Sequence, residues 1–299
     1  MKANQPLHQP VLLDAVIRWL APRDGGVYVD GNLGLGGHSA AILAASSPGG
    51  RVIGLDWDED AIRQAERNLA IYADRITILR RNFAEIPAVL TDLGLDRVDG
   101  LLLDLGLSSL QLDASGRGFS FQGCEPLDMR MDTRCRGTAA DLLNQAAEDE
   151  LADIFFYYGE ERQARRIAAR IVARRKNEPF TTTRQLVELV EEAVPRRFHP
   201  KKIHVATKVF QALRIAVNRE LDNLEKILAG LSAIIRPGGR ICIISFHSLE
   251  DRLVKNAFRN TPGLRAVTAK PVVAEEGELQ DNPRARSARM RCAEKTMEG

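Results

Sequence analysis

The sequence predicts an α/β fold, a doubly wound and mainly parallel sheet interrupted by an all-helical insertion. Three features point there. Short apolar runs that end in a polar residue alternate with helix-like stretches through the first third of the chain. The strand signal then disappears from about residue 125 to residue 209, where only helical periodicity remains. Beyond it the apolar run RICIISF (240–246) returns the chain to the sheet.

In chain order, strands are predicted at VYVD (27–30), RVIGLD (51–56), ITILR (76–80) and VDGLLLD (98–104). HSAAILAA and EDAIRQAERNLAIYA lie between them and read as helices, so the connections form right-handed βαβ units. In the insertion, AADLLNQ, EDELADIFFYY, RQARRIAARIVARRK and TTRQLVELVEEAV read as helices separated by Gly and Pro breaks. One long amphipathic helix should follow, with Val209, Leu213, Val217, Leu221, Leu224 and Leu228 on its apolar face, ending at the turn RPGG. In the last part, LRAVTAKPVV and SARMRCAEK should pair as antiparallel strands on the sheet edge, with AEEGELQDNPRA as a loop. The expected division is residues 1–125 with 210–299 as one discontinuous domain, and 126–209 as an inserted helical domain.

Composition narrows the class of protein. With 299 residues, 44% of them hydrophobic, the chain can bury a substantial core. Charged residues make up 27% and the net charge is +2, so any nucleic-acid partner must be argued from the distribution of charge and not from its sum. Cys124, Cys135, Cys242 and Cys292 form no CxxC pair, and His38, His199, His204 and His247 show no metal-like grouping. Reduced thiols and no metal are therefore expected. No segment approaches the roughly 18 apolar residues of a membrane span, and the opening MKANQPLHQP lacks the pattern of a leader, so a cytoplasmic protein without a membrane partner is expected.

Three of the predicted strands end in aspartate: Asp30, Asp56 and Asp104. One such residue reads equally well as a turn former or a helix N-cap. Three together, at the strand ends where open parallel sheets bind ligands, suggest a site. The loop DGNLGLGGHS (30–39) places glycines at 34, 36 and 37 between strand and helix, and Asp56 lies about 20 residues further on, the offset of a ribose-binding acid. A dinucleotide loop needs a third glycine where this chain has Ser39, and Asp30 would repel a pyrophosphate. S-adenosylmethionine has no phosphate and carries a sulfonium and an ammonium, so a cluster of carboxylates suits it better than it suits NAD.

After the fourth strand, DLGLSSLQLD (104–113) lacks the proline pair common in amino-group methyltransferases. Asp104, the 105–108 backbone and Ser109 could still offer acceptors to an exocyclic amine, with positioning supplying most of the rate; Ser108 and Ser109 read equally as turn formers. GFSFQGCEPLDMRMD (118–132) reads either as a pocket lining or as a core cover. Arg166, Arg170 and Arg174 recur every four residues, a solvated helix face or an RNA-backbone contact. The clusters PRRFHPKK and NPRARSARMR favour an anionic polymer.

With these residues in view, the chain resembles the RsmH (MraW) family of 16S rRNA (cytosine-N4)-methyltransferases. The resemblance runs through PVLLDAV, DGNLGLGGHS, DLGLSSLQLD, RGFSF, LDMRMD, YGEERQARRIA, FQALRIAVNREL, ISFHSLEDRLVK and NPRARSARMR, in one order over nearly the whole chain. It implies a Rossmann-like class I methyltransferase sheet with an inserted helical domain for RNA recognition, and S-adenosylmethionine as cofactor. It further implies that Gly36, Gly37 and His38 contact the methionine part, that Asp56 binds the ribose, that Phe83 lies against the adenine, and that Asp104 and Gln111 complete the pocket; separately, the acidity of the methylated nitrogen makes Asp104, or water, the candidate catalytic acceptor of its proton. The implied partner is 16S rRNA or the small ribosomal subunit, with a homodimer left open. Departures from the family pattern are Asn32 for threonine, Leu35 in the glycine run, Leu110 for proline, and HVATK (204–208) for HPATR; the first three border the cofactor and the last the RNA-facing surface. Two other functions stay in contention. One is an RNA-binding assembly factor that keeps the pocket without turnover, and the other is an NAD-dependent oxidoreductase, which Asp30 and Ser39 disfavour.

Overall fold

A computed structural model describes residues 10–297, apart from 114 and 122 and the side chains of Ser109 and Asp113; the opening MKANQPLHQ lies outside it. The N-terminal part builds β1 (Val27–Asp30), β2 (Arg51–Asp56), β3 (Ile76–Arg80) and β4 (Val98–Asp104), with α1 (Leu13–Leu20), α2 (Gly37–Ala45), α3 (Glu59–Asn68) and α4 (Ile86–Asp92) around them. The four strands occupy the segments read from the sequence. A helical stretch follows: α5 (Ser109–Asp113), α6 (Ala139–Gln145), α7 (Glu148–Tyr157), α8 (Ala164–Arg174), α9 (Thr183–Ala193) and α10 (Thr207–Asn218). The chain then returns through α11 (Glu220–Ile234), β5 (Ile235–Ser245), α12 (Ser248–Asn260), β6 (Leu264–Ala266), α13 (Glu276–Asp281) and β7 (Arg289–Lys295).

The seven strands form one sheet in the order β3-β2-β1-β4-β5-β7-β6. Strands β1 to β5 are parallel, and β7 pairs antiparallel with both β5 and β6. The tail segments do pair as expected, but β7 lies inside the sheet and β6 forms its edge. Strand β4 is buried at six successive positions, a run that requires cover on both faces. One face packs Leu101, Leu103 and Ile243 against Val89, Leu224, Leu231 and Val254 from α4, α11 and α12. The other packs Leu102, Cys242 and Ile244 against Val16, Leu20, Ile42 and Leu43 from α1 and α2.

The chain divides into two compact units, residues 1–108 with 221–299, and residues 109–220. The helical unit is wider than 126–209. Helix α10 packs on α6 and α7, and Asn218 at its end accepts from the Met131 N–H and donates to the Met129 carbonyl, 2.8 Å each. These bonds tie LDMRMD into the helical unit, where Leu127, Met129 and Met131 are buried and cover its core. The single long helix expected through 209–228 is two helices, because Arg219 adopts a left-handed conformation (φ 51°) that ends α10 before α11 begins. RPGG lies within β5 as an irregularity, the pairing jumping from Val98↔Ile235 to Gly100↔Arg240. Among the described residues no helix is long and apolar enough to cross a membrane.

Candidate functional site

In an open parallel sheet the binding crevice opens beyond the carboxyl ends of the strands, where strand order reverses. Here the reversal lies between β1 and β4, whose last residues are Asp30 and Asp104, with Asp56 ending β2 alongside. The loop after β1 is pinned on both sides. Gly31 N–H donates to the Leu102 carbonyl (2.9 Å) and Leu33 N–H to the Leu55 carbonyl (2.8 Å). Gly36 has φ +84°, and a Cβ there would lie 2.6 Å from Leu69 Cδ1, so the loop's path demands glycine for both conformation and space. At Gly37 a Cβ would collide with Pro10.

Asp56 holds this loop from below. Its Oδ2 accepts from Gly34 N–H and its Oδ1 from Asp58 N–H, both at 2.9 Å. Burial nevertheless pushes the carboxyl up to about 6, against those two N–H donors. Each oxygen keeps a second lone pair, so the group can brace the glycine loop and still accept from a ribose hydroxyl. Asp30 is almost fully buried and accepts from Ser39 Oγ at 2.7 Å. The serine standing in the place of a third glycine thus serves the strand-end acid, whose pKa burial raises.

Asp104 is the most accessible of the three, with about one-fifth of its side chain exposed (21%). Burial pushes it up to about 7, the Gly106 N–H opposes this, and the charge of Glu250 adds to it. His38 lies beside it. Its Nε2 is 2.9 Å from the Val11 carbonyl, which can only accept, so Nε2 carries the proton and Nδ1 faces Asp104 Oδ2 at 3.8 Å. That gap is too long for a direct hydrogen bond. Burial lowers the His38 pKa, against the pull of Asp30, which favours a neutral ring.

Glu250 was not among the residues singled out from sequence. It is buried at the start of α12, where it accepts from Phe246 N–H (2.7 Å) and His247 N–H (3.3 Å) while His247 caps the helix. The readable signal was the His-x-x-Glu spacing of a capping box in HSLE. Phe246 closes against Gly106, where a Cβ would lie 2.7 Å from its ring.

Other expected residues lie deeper or elsewhere. Phe83 is buried in the apolar cluster with Ile86, Leu103 and Leu105, under Gly31, where it supports the loop more than it offers a surface. Gln111 is buried in α5 of the helical unit, and the Ser109 side chain lies outside the described residues. On α8, Arg166 and Arg170 are exposed. Arg174 is engaged locally, 3.4 Å from Glu178 and 5.9 Å over the Phe180 ring.

The arrangement is suited to a cation. Three carboxyls whose ionised forms are disfavoured by burial would regain that cost on meeting positive charge, whereas an added phosphate would raise it further.

A profile of the MraW methylase family matches residues 5–296. The chain is 57% identical over 291 residues to the ribosomal RNA small subunit methyltransferase H of Desulfotalea psychrophila, covering 97% of this chain and 99% of the relative. It is 50% identical over 306 residues to the protein of the same name from Geotalea uraniireducens, covering 96% and 98%. Among solved structures it is similar to Aeropyrum pernix fibrillarin in complex with natively bound S-adenosyl-L-methionine, at 10% identity and a TM-score of 0.44, covering 98% and 85%. The sheet is a Rossmann-like arrangement. Matched over nearly its whole length, the chain belongs to the MraW methylase family.

Proposed function

We propose that the protein transfers the methyl group of S-adenosylmethionine to the exocyclic N4 of one cytidine in the decoding region of 16S rRNA. The observation that carries this reading is the acid-lined crevice behind the glycine loop, in a chain whose relatives are named as small-subunit rRNA methyltransferases. The residues fit the cofactor: Gly36 and Gly37 bring the backbone close, and Asp30, Asp56 and Asp104 supply the negative field. When bound, S-adenosylmethionine supplies an electrophilic methyl group on a sulfonium.

The chain's own groups do the rest. Asp104 accepts a hydrogen bond from the target amine and orients its nitrogen, whose lone pair is otherwise delocalised into the ring. After transfer the nitrogen is strongly acidic, and its proton passes to Asp104 or to water. His38, held through Val11, keeps a neutral ring beside Asp104 and so leaves the acid's charge in place. Asp56 binds the ribose hydroxyls and holds Gly34. No cysteine adduct is needed for attack at an exocyclic nitrogen. The target base leaves its stack to reach the crevice, and Arg166 and Arg170 of α8 contact the RNA backbone. The reaction takes place in the cytoplasm.

Methyl-labelled S-adenosylmethionine incubated with small ribosomal subunits lacking the modification tests this. Label in 16S rRNA is expected. RNA binding without label would favour the assembly factor, and a thermal shift with NADH but none with S-adenosylmethionine would favour the oxidoreductase.

A further inference from the structure

Away from the carboxyl ends of β1 and β4, a cavity of about 330 Å³ opens beside the sheet edge, between α12, β6 and β7. Lys255, Arg259 and Arg291 line it with Phe258, Leu264 and Thr268. Its size is near the lower end of small-molecule pockets, roughly 300–1,000 Å³, and exceeds what a bare phosphate needs.

Its charge is unbalanced. Asp251, the acid nearest on α12, is taken up by Arg291 at 2.6 and 3.0 Å and also has Arg289 within 3.9 Å. Glu294 on β7 is shared between Arg240 (3.3 Å) and Arg265 (2.9 Å). Lys255 and Arg259 are exposed, stand one helical turn apart on the same face of α12, and have no ion pair among the described residues. Two uncommitted cations therefore face an opening with apolar walls, at the edge strand of the sheet. Lys255 lies five residues along α12 from Glu250, whose charge acts on Asp104, about 8 Å at the helical rise, so a strand entering at Asp104 can reach the pocket.

We infer that this pocket holds one nucleotide of the RNA strand that flanks the target, its phosphate on Lys255 and Arg259 and its sugar and base against Leu264 and Ala266. The inference rests on the rRNA-substrate reading for the source of the strand. The charge pattern and cavity are independent of the chemistry at Asp104.

The test is the salt dependence of binding of a fluorescent single-stranded octacytidylate, measured without cofactor. Each phosphate contact to a single strand contributes about 0.7 to the slope of log K against log salt. The double variant Lys255→Gln/Arg259→Gln is expected to lower that slope by about 0.7, which is about 5-fold in affinity at 0.1 M salt. Lys255→Arg/Arg259→Lys should keep the wild-type slope. An unchanged slope in the Gln variant would overturn the proposal, as would displacement of the octamer by equimolar inorganic phosphate, which would assign the pocket to a free anion. A wild type that labels no cytidine but shows this slope change refutes the methylation reading and leaves the pocket standing.

Discussion

Replacing Asp104 with Asn keeps the side chain's shape and the oxygen that accepts from Gly106 N–H, while removing the ionisable group. The carboxyl sits at about 7, where an ordinary aspartate sits at 3.8. A difference of about three units corresponds to up to about 4 kcal/mol of penalty on the ionised form. A raised folded-state pKa means that the favourable contribution of the protonated group is fully present below about pH 4 and is lost as pH rises through about 7. The Asn variant has no such loss. Urea unfolding of both proteins without cofactor, from about pH 3.5 to pH 9, should therefore show little difference at the acid end. The variant's advantage should grow between about pH 4 and about pH 7 and then level off at up to about 4 kcal/mol, while methyl transfer falls on the order of a hundredfold. A pH-independent difference, or a less stable variant at pH 9, would refute the assignment of Asp104 as a strained, functional acid.

Three further outcomes follow from the same geometry. S-adenosylmethionine affinity measured by isothermal titration should rise with pH between 5.5 and 7.5, as Asp56 and Asp104 ionise through about 6 and about 7 to meet the cation, and the Asn variant at 104 should lose the upper part of that rise. Asp56→Ala removes the acceptor for Gly34 and Asp58 N–H and should lower cofactor affinity about a hundredfold or more with the fold intact by circular dichroism; unchanged affinity would remove Asp56 from the site. At the opposite end of the sheet, Asp99 accepts from Val27 N–H, Arg23 and Arg236 at 2.7–2.9 Å, so Asp99→Ala should cost about 3 kcal/mol in urea unfolding and leave cofactor affinity unchanged.

The strands that carry the site were legible because each is an apolar run bounded by turn residues, and their aspartates fall at the ends that topology makes functional. The role of Ser39 was not, since a serine inside GGHS reads as a departure from a glycine pattern until the structure places its hydroxyl on Asp30. Glu250 escaped for a related reason: HSLE reads as a helix start, and only the sheet brings that buried charge near Asp104. The helical unit's upper boundary was missed at Arg219, because apolar spacing continues unbroken from Val209 to Leu228 and nothing in a side-chain pattern marks a left-handed backbone. Phe83 was legible as a conspicuous aromatic after β3, while its burial beneath Gly31 depends on packing that only the assembled sheet defines.

Methylation at a cytidine N4 is tested by the identity of the modified nucleoside. Unmodified small subunits treated with the protein and S-adenosylmethionine should yield N4-methylated cytidine on nucleoside digestion and mass spectrometry, mapped to the decoding region of 16S rRNA. A methyl group on a ring carbon, on another base or at a site outside that region would contradict the account.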